Sequence, residues 1–121
     1  MRRRRIEENI QVAFVAWFRY QYPRYAKLLT LGSFGENIGE KRMARLKQMG
    51  LTPGYPDIML NVCKPYDGFW KGGLFIEMKT KEGRVSDTQK EIHELLSRQY
   101  VVKTARSFEE AQEAINDYLN S

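Results

Sequence analysis

Cysteine and histidine are almost missing from this chain of 121 residues: one cysteine, Cys63, and one histidine, His93. A lone cysteine closes no internal disulfide, and with a single histidine beside it no Cys/His zinc site can be built. A metal, if one is used, is left to carboxylates, the ligands of hard cations such as Mg²⁺ or Mn²⁺. Long apolar runs are missing too, and none approaches the roughly 20 residues of a membrane helix. The opening stretch, Met1 to Arg5, is basic and leads straight into an amphipathic segment, without the apolar core of a signal peptide. A cytoplasmic protein with no membrane partner is expected.

What is present is ordinary for a globular domain, at 42% hydrophobic and 29% charged residues. The length suits a single domain with one real core. The net charge of +5 fits a polyanionic partner, but Arg2 to Arg5 supply four of those charges and the remainder is nearly neutral. The arginine run therefore reads equally as a phosphate-contacting arm or as a solvated tail. We divide the chain into a basic N-terminal arm, residues 1–5, and one domain, residues 6–121.

Apolar periodicity sets the elements. Ile6, Ile10, Ala13, Phe14 and Trp17 recur at spacings of three and four, which predicts a helix from Ile6 to Tyr20 ended by Pro23. Ala26 to Leu31 reads as a short strand, Gly32 to Gly39 as a loop, and Glu40 to Met49 as a basic helix stopped by Gly50. Leu51 to Pro56 is turn chemistry, and Asp57 to Val62 a strand. Lys64 to Gly73 carries a proline and three glycines, as a connecting loop or hairpin does, before a strand from Leu74 to Lys79. After a turn at Lys81 to Val85, Ser86 opens a helix that runs to about Arg98. A strand from Tyr100 to Ala105 follows, and Ser107 caps a last helix whose inward residues are Phe108, Ala111, Ala114, Ile115, Tyr118 and Leu119. The order α-β-α-β-β-α-β-α predicts an α/β fold, a central mixed β-sheet flanked by α-helices.

Three short stretches carry chemistry: Gly54-Tyr55-Pro56-Asp57, Glu77-Met78-Lys79 and Ser86-Asp87-Thr88-Gln89. In the strand, Leu74, Ile76 and Met78 share one face while Phe75, Glu77 and Lys79 share the other. A glutamate and a lysine on an apolar strand are costly to bury without a purpose, although an edge-strand ion pair is the plainer explanation. Asp57, at the start of a strand behind a turn, is either a turn-capping aspartate or a partner for Glu77. If the two strands pair as a hairpin, the carboxylates converge at one end of the sheet, where with a strand carbonyl they suit Mg²⁺. Such an ion polarises a phosphate and acidifies a bound water, and Lys79 faces the same way to orient water or stabilise developing charge.

Pro56-Asp57, nineteen residues, then Glu77-Met78-Lys79 resembles the PD-(D/E)XK nuclease signature. The surrounding GYPDIML, GLFIEMKT, the Ser-x-x-Gln helix start and YVVKTARSFEEAQEAINDYL, with ARLKQMG before them, are similar to the VRR-NUC domain from about Ile6 to Leu119. The resemblance implies a restriction-endonuclease-like core and a metal-dependent DNA endonuclease that leaves a 5′-phosphate and a 3′-hydroxyl. It implies Asp57 and Glu77 as metal ligands with the Met78 carbonyl as a third, Mg²⁺ or Mn²⁺ as the cofactor, Lys79 as the catalytic lysine and Gln89 beside the metal. Gln89 is also the residue a capping box with Ser86 would use. The family places a glutamate on the first helix near the metal, and Glu7 and Glu8 compete for that role. At about 100° per residue, Glu7 lies roughly 60° from the centre of the apolar stripe and Glu8 roughly 160° from it. Glu7 is therefore chosen, and a glutamate four residues before Gln11 agrees with the family pattern; the simple alternative is a favourable first-turn acid. Where the family carries a glycine before the last strand, this chain has Gln99.

Stand-alone VRR-NUC proteins are similar to junction-resolving enzymes, which makes four-way or branched DNA the expected partner and, for two symmetric cuts, a homodimer the expected assembly. The small format suggests a phage protein working in a bacterial host cell, with a replication or repair partner. The rivals are a restriction-like or nicking endonuclease on linear duplex and a catalytically inactive DNA-binding module. Lys81 and Arg84 are expected to grip phosphates, as is the helix face of Lys41, Arg42, Arg45 and Lys47. Trp70 beside Lys71 is the exposed aromatic suited to stacking on bases. Each has a bland counterpart as solvated surface. His93, one turn after Gln89, is set aside as a packed or surface residue.

Overall fold

The structure, a computed structural model, describes residues 2–32 and 38–121. The side chains of the expected arm, residues 1–5, and residues 33–37 of the expected Gly32–Gly39 loop lie outside what is described.

Helix α1 spans Arg2–Gln21, so it begins ahead of the expected Ile6. Among its described side chains the buried ones are Phe14 and Phe18, both 0% exposed, with Ile10, Val15 and Trp17 packed partly against the core. Ile6 and Ala13, expected inside, are exposed. The two phenylalanines bury more area than the smaller side chains they outcompete, and they turn the stripe toward Phe18. Trp17 closes the helix end, its ring edge-on to Tyr22 and Phe108. A 3₁₀ helix, Pro23–Leu28, takes up half of the expected first strand and leaves β1 as Leu29–Leu31.

The main sheet joins β1, β2 (Ile58–Leu60), β5 (Leu74–Met78) and β6 (Val101–Ala105) in the order β1-β2-β5-β6. The first two pairings are antiparallel and the last parallel, which makes the sheet mixed, as expected. Every residue of β5 is buried. Leu74, Ile76 and Met78 meet α1 and α4 (Phe108–Asn120) in one core with Ile58, Leu60, Ile115 and Tyr118. On the opposite face the Phe75 ring packs edge-on against Tyr55 and Tyr100. Helix α3 (Asp87–Leu96) links β5 to the parallel β6, the crossover that parallel strands require.

Lys64 to Gly73 forms the short hairpin β3 (Lys64–Tyr66) and β4 (Phe69–Lys71). Asp67 and Gly68 both take positive φ, 52° and 87°, as a two-residue turn of the hairpin type demands. This hairpin adds two strands to the expected order. It hangs from the Leu60 and Leu74 ends of β2 and β5. Helix α2 (Glu40–Gln48) buries none of its residues.

Candidate active site

The turn before β2 is wedged from two sides. Gly54 has φ +103°, and a side chain there would meet the Thr88 carbonyl and Ile92 at 2.9 Å. Gly32 is as confined, since a Cβ would lie 2.4 Å from the Pro56 carbonyl, and its N–H donates to the Asp57 carbonyl at 2.8 Å. Asp57 is thereby delivered to the edge of β5. Ile58 pairs with Ile76, so the antiparallel register sets Asp57 opposite Glu77. The Asp57 carboxylate accepts the Met78 N–H at 2.7 Å, a bond to the neighbouring strand rather than to its own turn. The Met78 carbonyl leaves the strand on the same edge as its N–H, by the geometry of an antiparallel pair.

Glu77 is only 2% exposed. Its Oε2 accepts from the Gln89 amide at 3.3 Å and lies 3.8 Å from Lys79 Nζ. Its Oε1 is buried with no hydrogen bond and faces His93 Nε2, equally without one, at 3.4 Å. Burial, then the Asp57 carboxylate, push the Glu77 carboxyl up to about 9, with Glu7 adding to the rise and Lys79 opposing it. Burial and then Lys79 hold His93 below its ordinary value, against the pull of Asp57. Burial thus disfavours the charged form of both groups at this close contact.

Gln89 caps its helix and also reaches Glu77. Its Oε1 accepts the Ser86 N–H at 2.9 Å while the Ser86 hydroxyl accepts the Gln89 N–H at 3.1 Å, a complete capping box. The other end of the same amide, Nε2, reaches Glu77. The cap thus fixes the orientation of the amide that the glutamate uses.

Glu7 arrives from α1. With the buried stripe turned to Phe14 and Phe18, Glu7 sits at its centre, roughly 20° from either phenylalanine, instead of on its shoulder. Its Oε2 accepts the Thr80 N–H at 3.3 Å, just past Lys79. Glu8 is exposed.

A divalent cation suits this set. The Asp57 carboxylate crowds that of Glu77, a repulsion such an ion relieves, and Glu77 Oε1 offers it a buried oxygen with no hydrogen bond. Among the described residues no three His, Cys, Asp or Glu side chains already converge on one point. Mg²⁺ commonly takes one or two carboxylates and completes its shell with water.

The surrounding residues divide. Lys81 and Arg84 are exposed on the loop between Lys79 and α3, at the same end of the sheet as the carboxylates. The Arg106 guanidinium gathers this loop, donating to the carbonyls of Thr80 at 3.0 Å, Lys81 at 3.4 Å and Gly83. Nothing local in the sequence marks Arg106 for that task. Lys41, Arg42, Arg45 and Lys47 are exposed on α2. Trp70, 70% exposed, and Lys71, which donates to the Ser97 carbonyl at 3.2 Å, stand on the hairpin at the far end of β5. A five-residue strand at about 3.3 Å per residue separates them from the site. The Gln99 departure is absorbed, since α3 ends on Ser97 in right-handed conformation and Gln99 N–H donates to the Leu96 carbonyl.

The family model for the VRR-NUC domain matches residues 5–109. Among solved structures, a VRR_NUC domain protein is similar, with a TM-score of 0.77 and 22% identity over 94% of this chain and 88% of that one. Comparison with curated proteins gives no match. Among the described residues no helix is long and apolar enough to cross a membrane.

Proposed function

This chain belongs to the VRR-NUC domain family, a family of nuclease-type, DNA-cleaving domains, and from that premise we propose that it is a metal-dependent endonuclease selective for four-way or branched DNA. The observation that carries the reading is the meeting of Asp57, Glu77, Lys79, Gln89 and Glu7 at one end of the sheet. A binding module has no use for so costly a cluster.

Asp57 and Glu77, with the Met78 carbonyl, would hold Mg²⁺ or Mn²⁺. When bound, the ion supplies Lewis acidity toward the phosphate and lowers the pKa of water. The chain's own groups do the rest. Gln89 and Lys79 hold Glu77 from its Oε2 side, leaving Oε1 free to ligate. Lys79, anchored through its N–H to the Ala105 carbonyl at 2.9 Å, directs its ammonium group into the same space. There it orients the attacking water or stabilises the charge that grows on the phosphate oxygens. Glu7 steadies the strand end through Thr80. Lys81, Arg84 and the exposed face of α2 supply sequence-independent phosphate contacts. A four-way junction needs two symmetric cuts, so this function calls for a homodimer.

The test is cleavage of a labelled four-way junction and a matched linear duplex, each with Mg²⁺, Mn²⁺ or EDTA. Metal-dependent cutting of the junction, abolished by Lys79→Ala, is expected. Equal cutting of both DNAs would retain the active site and discard the junction preference. No cutting with either metal would sink the enzymatic reading.

A further inference from the structure

Two buried polar atoms confront each other in this site with no hydrogen bond to either: Glu77 Oε1 and His93 Nε2, 3.4 Å apart. Buried polar atoms are nearly always partnered, and an exception asks for a reason. Two ligands at right angles around one ion, each about 2.2 Å from it, lie roughly 3.1 Å apart. The observed spacing is within a few tenths of an ångström of that value.

Position supports the same assignment. His93 stands one helical turn beyond Gln89 on α3, so both side chains reach Glu77 from above, one to each oxygen. Gln89 and Lys79 occupy Oε2. Oε1 is the oxygen left for an ion, and His93 is the side chain aimed at it. Its side chain is 14% exposed and already confined, so little side-chain freedom remains to be lost on binding.

Building on the nuclease reading above, we propose that His93 Nε2 and Glu77 Oε1 are adjacent ligands of the same divalent ion, which gives this site a nitrogen donor and a preference for Mn²⁺ over Mg²⁺. Imidazole is a borderline donor that first-row transition metals accept readily, whereas Mg²⁺ holds to oxygen. The lone histidine, unremarkable in the sequence, thereby becomes the residue that sets metal selectivity.

The experiment is pulsed electron paramagnetic resonance of Mn²⁺ added to the full, untagged chain, alone and with linear duplex DNA. His93 is the sole histidine, so an imidazole ¹⁴N coupling has one source. The wild type should show that coupling. His93→Leu should lose it while still binding Mn²⁺ through Asp57 and Glu77, with Mn²⁺ affinity about tenfold weaker and Mg²⁺ affinity little changed in a parallel titration. Bound Mn²⁺ without imidazole coupling would overturn the role of His93 and leave the nuclease reading intact. No bound Mn²⁺ in either condition would overturn both.

Discussion

Glu77 concentrates the conflict between stability and chemistry in one side chain. It is buried beside Asp57 and Glu7, and only Lys79 offsets them. Glu77→Gln removes that repulsion, so in metal-free buffer its melting temperature should equal or exceed the wild type's, while cleavage falls at least about 100-fold. A fall in both would mean that Glu77 is mainly structural. Gln89 and Ser86 separate in a similar way. Ser86→Ala loses a cap worth about 1 kcal/mol but keeps the Gln89 amide within reach of Glu77, so stability should drop more than activity. Gln89→Ala should lower both, and paired melts and cleavage rates on the two variants would show whether the amide does more than cap.

At the scale of elements, the site depends on two loops held from outside. The turn before β2 fits only because Gly54 lies against α3 in a left-handed conformation. Gly54→Ala adds both strain and a clash with the Thr88 carbonyl, and should cost about 2 kcal/mol or more in denaturant unfolding. The loop after β5 is gathered by Arg106, whose guanidinium satisfies three carbonyls. Arg106→Leu should cost about 2 kcal/mol and raise amide hydrogen exchange at Lys81 to Arg84 above that in α4. Unchanged exchange there would show that the loop is held by its own turn instead. Neither restraint is local in sequence, since Gly54 reads as turn chemistry and Arg106 as a charged residue after a strand.

Over the whole molecule, stability and function draw on opposite ends of the sheet. Far from the carboxylates, Tyr118 donates to the Val62 carbonyl at 2.6 Å and Tyr66 to Asp117. Burial pushes the Tyr118 hydroxyl up to about 12, and the hydrogen bond to Asp117, then burial, does the same for Tyr66. Folded-state pKa values raised above the unfolded value of about 10 contribute stability that is whole below pH 10 and is lost as pH rises toward 12. Thermal melts should therefore decline across that window, and Tyr118→Phe should flatten the decline at the price of about 1 kcal/mol near neutrality.

The order of the helices and main-sheet strands, the inward face of α4 and the caps at Ser86 and Ser107 were legible in the chain, as was the convergence of Asp57 with Glu77 once their strands pair, because each follows from local periodicity or from a motif whose spacing reflects strand geometry. The stripe of α1 was displaced, because single-helix periodicity does not weigh Phe18 against Ile6 until a sheet is there to receive one of them. Tertiary structure alone decided that Gln89 both caps and contacts Glu77, that Trp70 and Lys71 lie at the far end of β5, and that Arg106 and His93 reach toward the site. Those are relations between atoms distant in sequence, fixed by which faces the sheet and helices present to one another.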